Sequence, residues 1–363
     1  MEDRFDRVFE KLSEEARELY LSKNIPVLDS PPTPLIFLRE YVSKNRPMII
    51  RNAFDNWPAL SKWTNDYLKS ELGSTQVTVT VTPDGYADAP SGELFALPEE
   101  RLMEFSTFVE IWEKKSANGV FYVQKQNSNF TDEFDKLLKD ADHHVSWASA
   151  AFGTDPDAVN IWMGNSESVT SMHKDHYENL YAVVRGQKTF ILHPPTDIHC
   201  IPYKTYKLAQ YKENVTGTFD LIELSSKKQN EYKELNKDNM SLKVNGSGSP
   251  DYQGLSLQNI ERCESNDQSI PKEDDCDSVS WIAIDPLKPD LKRYPKYAKC
   301  EKYVAKVEEG QLLYLPSLWF HHVTQADQTI AVNFWYDMEY DIKYNYFKFV
   351  EEVSNIVNSK CDS

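Results

Sequence analysis

Apolar side chains recur at Phe5, Val8, Phe9, Leu12, Ala16 and Leu19, the three- and four-residue spacing of one helical face. The run stops at Asn24, Pro26 and the turn-rich DSPPTP. The spacing predicts one amphipathic helix inside an N-terminal helical segment over residues 1–46. From Pro47 the period falls toward two. Short apolar or alternating runs, PMIIRNAF, TQVTVTVTP, GVFYVQKQ and AVNIWMG, are broken at short intervals by Gly, Pro, Asn and Asp, and KYVAKVEEGQLLYLP and TIAVNFWY continue the pattern. They predict strands of an antiparallel barrel or sandwich over residues 47–340. ENLYAVVRGQKTFILHPP reads as two strands of a hairpin turning near Arg185 and Gly186.

Two further segments break that texture. Residues from about 225 to 279 are rich in Ser, Asn, Lys, Asp and Glu and poor in aliphatic side chains, which predicts a mobile insertion within the barrel domain. In EYDIKYNYFKFVEEVSNIVNSK the period returns to that of a helix, with Ile342, Tyr346, Phe349, Val353 and Ile356 on one face. A C-terminal helix over 341–363 is expected, its apolar face packed on the core or against a second copy in a homodimer.

Composition narrows the class. With 40% hydrophobic residues and 12% aromatics in 363 positions, the chain can bury a large core and is not of a disordered type. The opening MEDRFDRVFEKLSEEARELYL is charged throughout, and no apolar run is long enough to span a bilayer, so a cytoplasmic protein is expected, with the nucleus as the alternative. Cys200, Cys263, Cys276, Cys300 and Cys361 have no CxxC or regular spacing and read as unpaired thiols of a reducing compartment. A net charge of −17 argues against direct contact with nucleic-acid phosphates and favours a cationic partner.

The candidate chemistry lies in HKDHYE, residues 173–178, which holds two His-x-acid pairs, His173/Asp175 and His176/Glu178. A chain with 8 His and 57 acidic residues supplies roughly one such pair by chance, so the pairs alone say little. On a strand each pair shares a face and the two pairs point to opposite faces, so at most one of them can look into a barrel. A distant block, LLYLPSLWFHHVTQ, adds His321 and His322 after an apolar strand. Two histidines and one carboxylate on one face of a metal form the facial triad of non-haem iron oxygenases, which leaves open positions for a 2-oxo acid and dioxygen. The far carboxylate of 2-oxoglutarate then needs a buried cation, and Lys188, on the second strand of the expected hairpin, is placed to supply it.

HKDHYENLYAVVRGQKTFILHPP, LYLPSLWFHHV and AVNFWYDMEYDIKY, with FYVQKQNSNF, HHVSWASAAFG and WIAIDPLKPDL, resemble the small, JmjC-only class of JmjC-type 2-oxoglutarate oxygenases over nearly the whole chain outside the insertion. The resemblance implies a mainly β fold with flanking helices, the double-stranded β-helix or jelly roll of cupins. It implies iron(II) held by His173, Asp175 and His321, with 2-oxoglutarate and O2 as cosubstrates. Lys188, Thr170, Tyr122 and Asn179 would then form the 2-oxoglutarate pocket, and Asn333 and Trp335 would line the site. The activity implied is (3S)-lysyl hydroxylation of a protein substrate, with developmentally regulated GTP-binding proteins as substrates. The alternatives are a metallopeptidase acting on methylated, histone-like basic tails and a demethylase of methyl-lysine or methyl-arginine. A peptidase needs a positioned general base, and the sequence contains no HExxH to nominate one.

Overall fold

A computed structural model describes residues 2–126, 128–224 and 278–359. The elements that build the site are strands β1 (Met48–Ile50), β2 (Tyr86–Ala87), β3 (Ala158–Gly164), β4 (Val169–His173), β5 (Tyr177–Arg185), β6 (Gln187–His193), β7 (Tyr203–Glu213), β8 (Phe219–Glu223), β9 (Ser278–Ile282), β10 (Tyr303–Glu308), β11 (Leu312–Leu315), β12 (Phe320–Gln325) and β13 (Thr329–Asp337). Helices α1 (Glu2–Leu19) and α2 (Ile342–Ser359) flank them.

Two sheets face each other. One runs β1–β11–β5–β13–β3, and the other β10–β6–β12–β4–β2. Successive strands β3, β4, β5 and β6 alternate between the sheets, as do β11, β12 and β13, which is the jelly roll of a cupin-type double-stranded β-helix. The expected mainly β fold with flanking helices is therefore the one observed. The hairpin is not: β5 pairs with β11 and β13, while β6 pairs with β10 and β12. At Gly186 the chain instead passes from one sheet to the other. That residue has φ +82°, and a Cβ there would stand 2.6 Å from Thr329 Oγ1, so the corner requires glycine.

Alternation along each strand sorts the side chains. On β5, Leu180, Ala182 and Val184 join a core outside the barrel with Phe37, Trp57, Leu68 and Phe108, whereas Tyr181 and Val183 join the core between the sheets. Phe190 and Leu192 of β6 and Val323 of β12 also point between the sheets. One irregularity decides the site. On β4, Thr170 pairs with Val323 and His173 pairs with His321, so the register slips by one residue between them. The slip is a bulge, and it brings Thr170 and His173, three positions apart, to the same inner face.

The flanking helices depart from their expected faces. On α1, Phe9 stacks on His199 at 4.1 Å, Ser13 and Ala16 are buried, and Val8 and Leu19 are exposed. Asp6 ties the same helix down by accepting from His199 Nε2 at 2.6 Å. The N-terminal segment is not helical throughout, because Val27–Leu28 pairs parallel with β1. On α2, Phe347 and Val350 pack on the core with buried Val357, and most of the predicted row, Ile342, Tyr346, Phe349 and Ile356, is exposed, so of the two expected uses of that face core packing is not the one observed. The helix carries two apolar faces, and the core takes the one offset from the predicted row. Between α1 and α2 lies an apolar cavity of about 310 Å³ bordered by Leu12, Leu38, Met338, Phe347 and Val350, outside the barrel. No helix among the described residues is long and apolar enough to cross a membrane. The expected insertion falls on residues outside the described ones except at its end, where Ser278 and Val279 belong to β9.

Candidate active site

β4 ends at His173, β5 begins at Tyr177, and the short turn between them carries Asp175. Its backbone is pinned by Leu318 N–H, which donates to the Asp175 carbonyl at 2.8 Å. β12 delivers His321 directly across from His173. The result is a compact cluster: His173 Nε2 lies 3.5 Å from Asp175 Oδ1, and His321 Nε2 lies 3.5 Å from Asp175 Oδ2. Neither neighbour joins it. His176 faces Tyr340 and Tyr344, and Glu178 points outward to accept from Tyr314 Oη at 2.6 Å and Ser317 Oγ at 2.8 Å. The separation of the two pairs arises from the turn, since Asp175 and His176 lie outside any strand. His322 faces the other side of β12, with Nε2 3.8 Å from Asp285 Oδ1.

The donor set fits a divalent metal. Nδ1 of His173 donates to the Ser171 carbonyl at 2.8 Å, and Nδ1 of His321 donates to the Trp319 carbonyl at 3.0 Å. A carbonyl can only accept, so both rings present an unprotonated Nε2 to Asp175 when neutral. Burial, reinforced by His173, pushes His321 down to about 4, which keeps it in that neutral form. Burial works to raise Asp175, but the two rings beside it hold it below the usual carboxylate range. Burial works to lower His173, but Asp175 and the Ser171 carbonyl raise it, so either a proton on its Nε2 or a divalent cation among the three groups meets the carboxylate. Two imidazoles, one carboxylate and open positions are the ligand set of a non-haem iron(II) centre.

A second cluster among the described residues, His193, Asp197 and Cys300, does not have this character. His193 engages the Glu301 carbonyl at 2.7 Å and the Tyr297 hydroxyl at 2.9 Å, so neither of its nitrogens is open. Arg17 already stands 3.8 Å from Asp197 as its counter-ion.

Deeper between the sheets, Lys188 is 1% exposed and donates to Tyr122 Oη at 2.8 Å. The rings of Tyr122, Trp162 and Tyr181 surround its ammonium at 5.2, 5.8 and 5.5 Å. Burial lowers it to about 7, and no carboxylate among the described residues pairs with it. Such a cation is suited to a bound anion. Thr170 hydrogen-bonds to Tyr122, which completes a lysine, phenol and hydroxyl group on one wall. On the opposite sheet, Trp162 Nε1 donates to Asn333 Oδ1 at 2.8 Å, and Asn333 Nδ2 donates to Asn179 Oδ1 at 3.1 Å. Trp335 stacks on Tyr177 at 5.0 Å, and its Nε1 is buried without a partner. Strand pairing puts Thr170, His173, His321, Lys188, Asn179, Asn333 and Trp335 on the inner faces of the two sheets, with Tyr122 against Lys188 and Asp175 on the turn beside His173, and the His173 and Asp175 side chains are 19% and 24% exposed.

Sequence reasoning did not single out Trp162, Tyr181 or Trp281. Trp281, from β9, lies parallel to the His173 ring at 5.9 Å and donates to Ser171 Oγ at 3.2 Å, walling the open end. The only signal for Trp162 and Tyr181 was inward alternation on strands of uncertain partner.

The cupin-like domain family matches residues 34–342. The chain is 44% identical to the human bifunctional peptidase and (3S)-lysyl hydroxylase JMJD7, over 93% of this chain and 92% of that protein. It is 36% identical to the lysine-specific demethylase JMJ32 of Arabidopsis thaliana, over 95% and 90% of the two chains. It is 35% identical to JmjC domain-containing protein E of Dictyostelium discoideum, over 97% and 95%.

Proposed function

The chain belongs to the cupin-like JmjC family of 2-oxoglutarate oxygenases, and from that premise we propose that it is an iron(II)-dependent protein hydroxylase acting on a lysine side chain. The observation that carries the proposal is that the His173–Asp175–His321 cluster and Lys188, which is buried and paired with no carboxylate among the described residues, are carried by neighbouring strands of one sheet and the turn that follows β4. His173, Asp175 and His321 would hold the metal. With iron(II), 2-oxoglutarate and O2 bound, the site supplies the oxidising power to turn a C–H bond into C–OH, with release of succinate and carbon dioxide.

The protein's own groups do the rest. The carbonyls of Ser171 and Trp319 fix the two rings. Lys188, Tyr122 and Thr170 receive the far carboxylate of the cosubstrate. The tryptophan–asparagine chain turns the Asn179 carbonyl toward Asn333, so the Asn179 amide nitrogen points away from that neighbour. The graded exposure, 24% at Asp175 and 1% at Lys188, sets the direction of loading, with the cosubstrate tail inward and the protein substrate over the metal end. Near that end Asp88, raised to about 6 by burial and by Glu100, also feels the His173 charge, so a carboxylate stands close to the metal end and suits a lysine ammonium.

The lysyl hydroxylase activity in the name of the human relative supports this reading, and developmentally regulated GTP-binding proteins are the substrates proposed for it. The test is mass spectrometry of such a substrate. One oxygen atom added at a lysine, with succinate formed, only when iron(II), O2 and 2-oxoglutarate are all present is the expected result. Loss of a methyl group from methyl-lysine would establish a demethylase instead. Cleavage of a methylated basic tail with zinc and without 2-oxoglutarate would establish a peptidase. A homodimer is part of the same proposal, with a second copy covering the outward Ile342, Tyr346 and Phe349 of α2. Sedimentation of the wild type as two chains, and of a Tyr346→Asp, Phe349→Asp variant as one, is the expected outcome.

A further inference from the structure

We infer that Gln325 is an additional cosubstrate-binding residue, donating from its amide to the carboxylate that Lys188 neutralises. The inference rests on the reading above that this space takes 2-oxoglutarate. Inward positions on β12 are His321, Val323 and Gln325, and Gln325 lies directly opposite Lys188 in the β6–β12 ladder. Directly opposed residues leave a sheet on the same face, so the amide and the ammonium enter the pocket side by side. Gln325 is 7% exposed, and neither its amide nitrogen nor its oxygen has a hydrogen-bond partner. A primary amide buried with two donors and an acceptor unspent is unfavourable and calls for a polar group to meet it.

Its position is enforced. A Cβ on Gly164 would lie 2.1 Å from Gln325 Nε2, 2.7 Å from the Tyr122 ring and 2.8 Å from Ser168 Oγ. Only glycine on β3 lets the amide reach in beside Tyr122, the ring whose hydroxyl accepts from Lys188. A carboxylate offers about four lone-pair sites, more than Lys188 and the Tyr122 and Thr170 hydroxyls saturate, and a neutral N–H donor beside a single ammonium completes the set without adding charge.

The experiment is calorimetric titration of the full chain, loaded with manganese(II), with 2-oxoglutarate, alongside melting of the same proteins without cosubstrate. Gln325→Leu keeps the volume and removes the amide. It is expected to weaken 2-oxoglutarate binding about tenfold or more, the loss of one hydrogen bond to a charged acceptor. Manganese affinity should stay unchanged, and the melting temperature without cosubstrate should hold or rise, since an unpaired buried amide has been removed. A purely structural glutamine would instead lose melting temperature and keep its cosubstrate affinity. Gln325→Glu, which sets a second carboxylate against the cosubstrate, should abolish binding, and serves if the leucine variant does not fold. Wild-type affinity in either variant overturns the inference. Wild-type protein that binds manganese but no 2-oxoglutarate overturns the pocket reading itself, and this inference with it.

Discussion

Lys188 sets the pH behaviour of the site. In the unfolded chain a lysine titrates at about 10.4, and burial brings this one down to about 7. Between those values the unfolded chain holds a proton that the folded protein lacks, so Lys188 makes folding stability rise with pH across that window and weigh against the fold below it. Binding of the proposed cosubstrate there would reverse the balance, because its carboxylate would recharge the amine. Above about pH 7, 2-oxoglutarate should bind with uptake of one proton, and its affinity should fall by up to about tenfold per pH unit toward pH 9. Calorimetry in two buffers of different ionisation enthalpy reads the proton directly, and a flat profile would move the anion site elsewhere. Lys188→Ala should lose both the slope and about a hundredfold in affinity, since it leaves the carboxylate unpaired in a buried site. At the metal end, His173→Ala or Asp175→Ala should weaken manganese binding beyond the roughly 10- to 100-fold typical of outer-shell changes. His176→Ala should leave it nearly intact, because that ring faces Tyr340 and Tyr344. Equal loss in all three would sink the assignment.

At the scale of elements, what the sequence made legible and what it hid follow from one distinction. Alternation is local, so the strands could be read from the sequence and Lys188 placed on the strand that follows Gly186. Pairing is not local. β5 and β6 alternate as hairpin strands do, yet each finds its partners in distant sequence, and nothing near Gly186 announces that. The bulge on β4 is hidden in the same way: strict alternation puts Thr170 and His173 on opposite faces, and only the slip against β12 reconciles them. The proposed metal ligands came from the combined motif blocks, whereas the aromatic enclosure of Lys188 depends on Trp162 and Tyr181, which reach it from the facing sheet. Pairing also explains how the polar segment is accommodated. Leu224 N–H donates to the Leu208 carbonyl at 2.9 Å, and Ser278 pairs with Lys207, the next position along β7. β8 and β9 therefore form one strand line along β7, with residues 225–277 entering and leaving at neighbouring points. Excising 225–277 and joining Leu224 to Ser278 should leave that line continuous, keep a cooperative melt within a few degrees of the full chain, about 1 kcal/mol, and preserve metal binding. A melt that loses its cooperativity would show that the removed residues belong to the core.

Charge acts on the whole molecule. A net −17 surrounds a site whose substrate is proposed to be a lysine and whose cosubstrate is a dianion, so the same field should help one and hinder the other. Close to the site the balance is local: Lys188, the proposed counter-ion of the cosubstrate, is buried beyond the reach of solvent, whereas the proposed metal end is 19% exposed at His173 and open to the field of the surface. Salt separates the two. Raising ionic strength from about 0.01 M to about 0.15 M shortens the screening length from about 30 Å to about 8 Å. Over that range kcat/KM for a lysine-rich peptide should fall roughly tenfold through slower encounter. The apparent affinity for 2-oxoglutarate should hold or improve, because its attraction to Lys188 is buried and its repulsion by the surface is screened. A peptide kcat/KM that does not change with salt would mean that the acidic surface takes no part in substrate capture. Both quantities falling together would point to an effect of salt on the metal site rather than on steering, and a parallel metal titration at the two ionic strengths would show it.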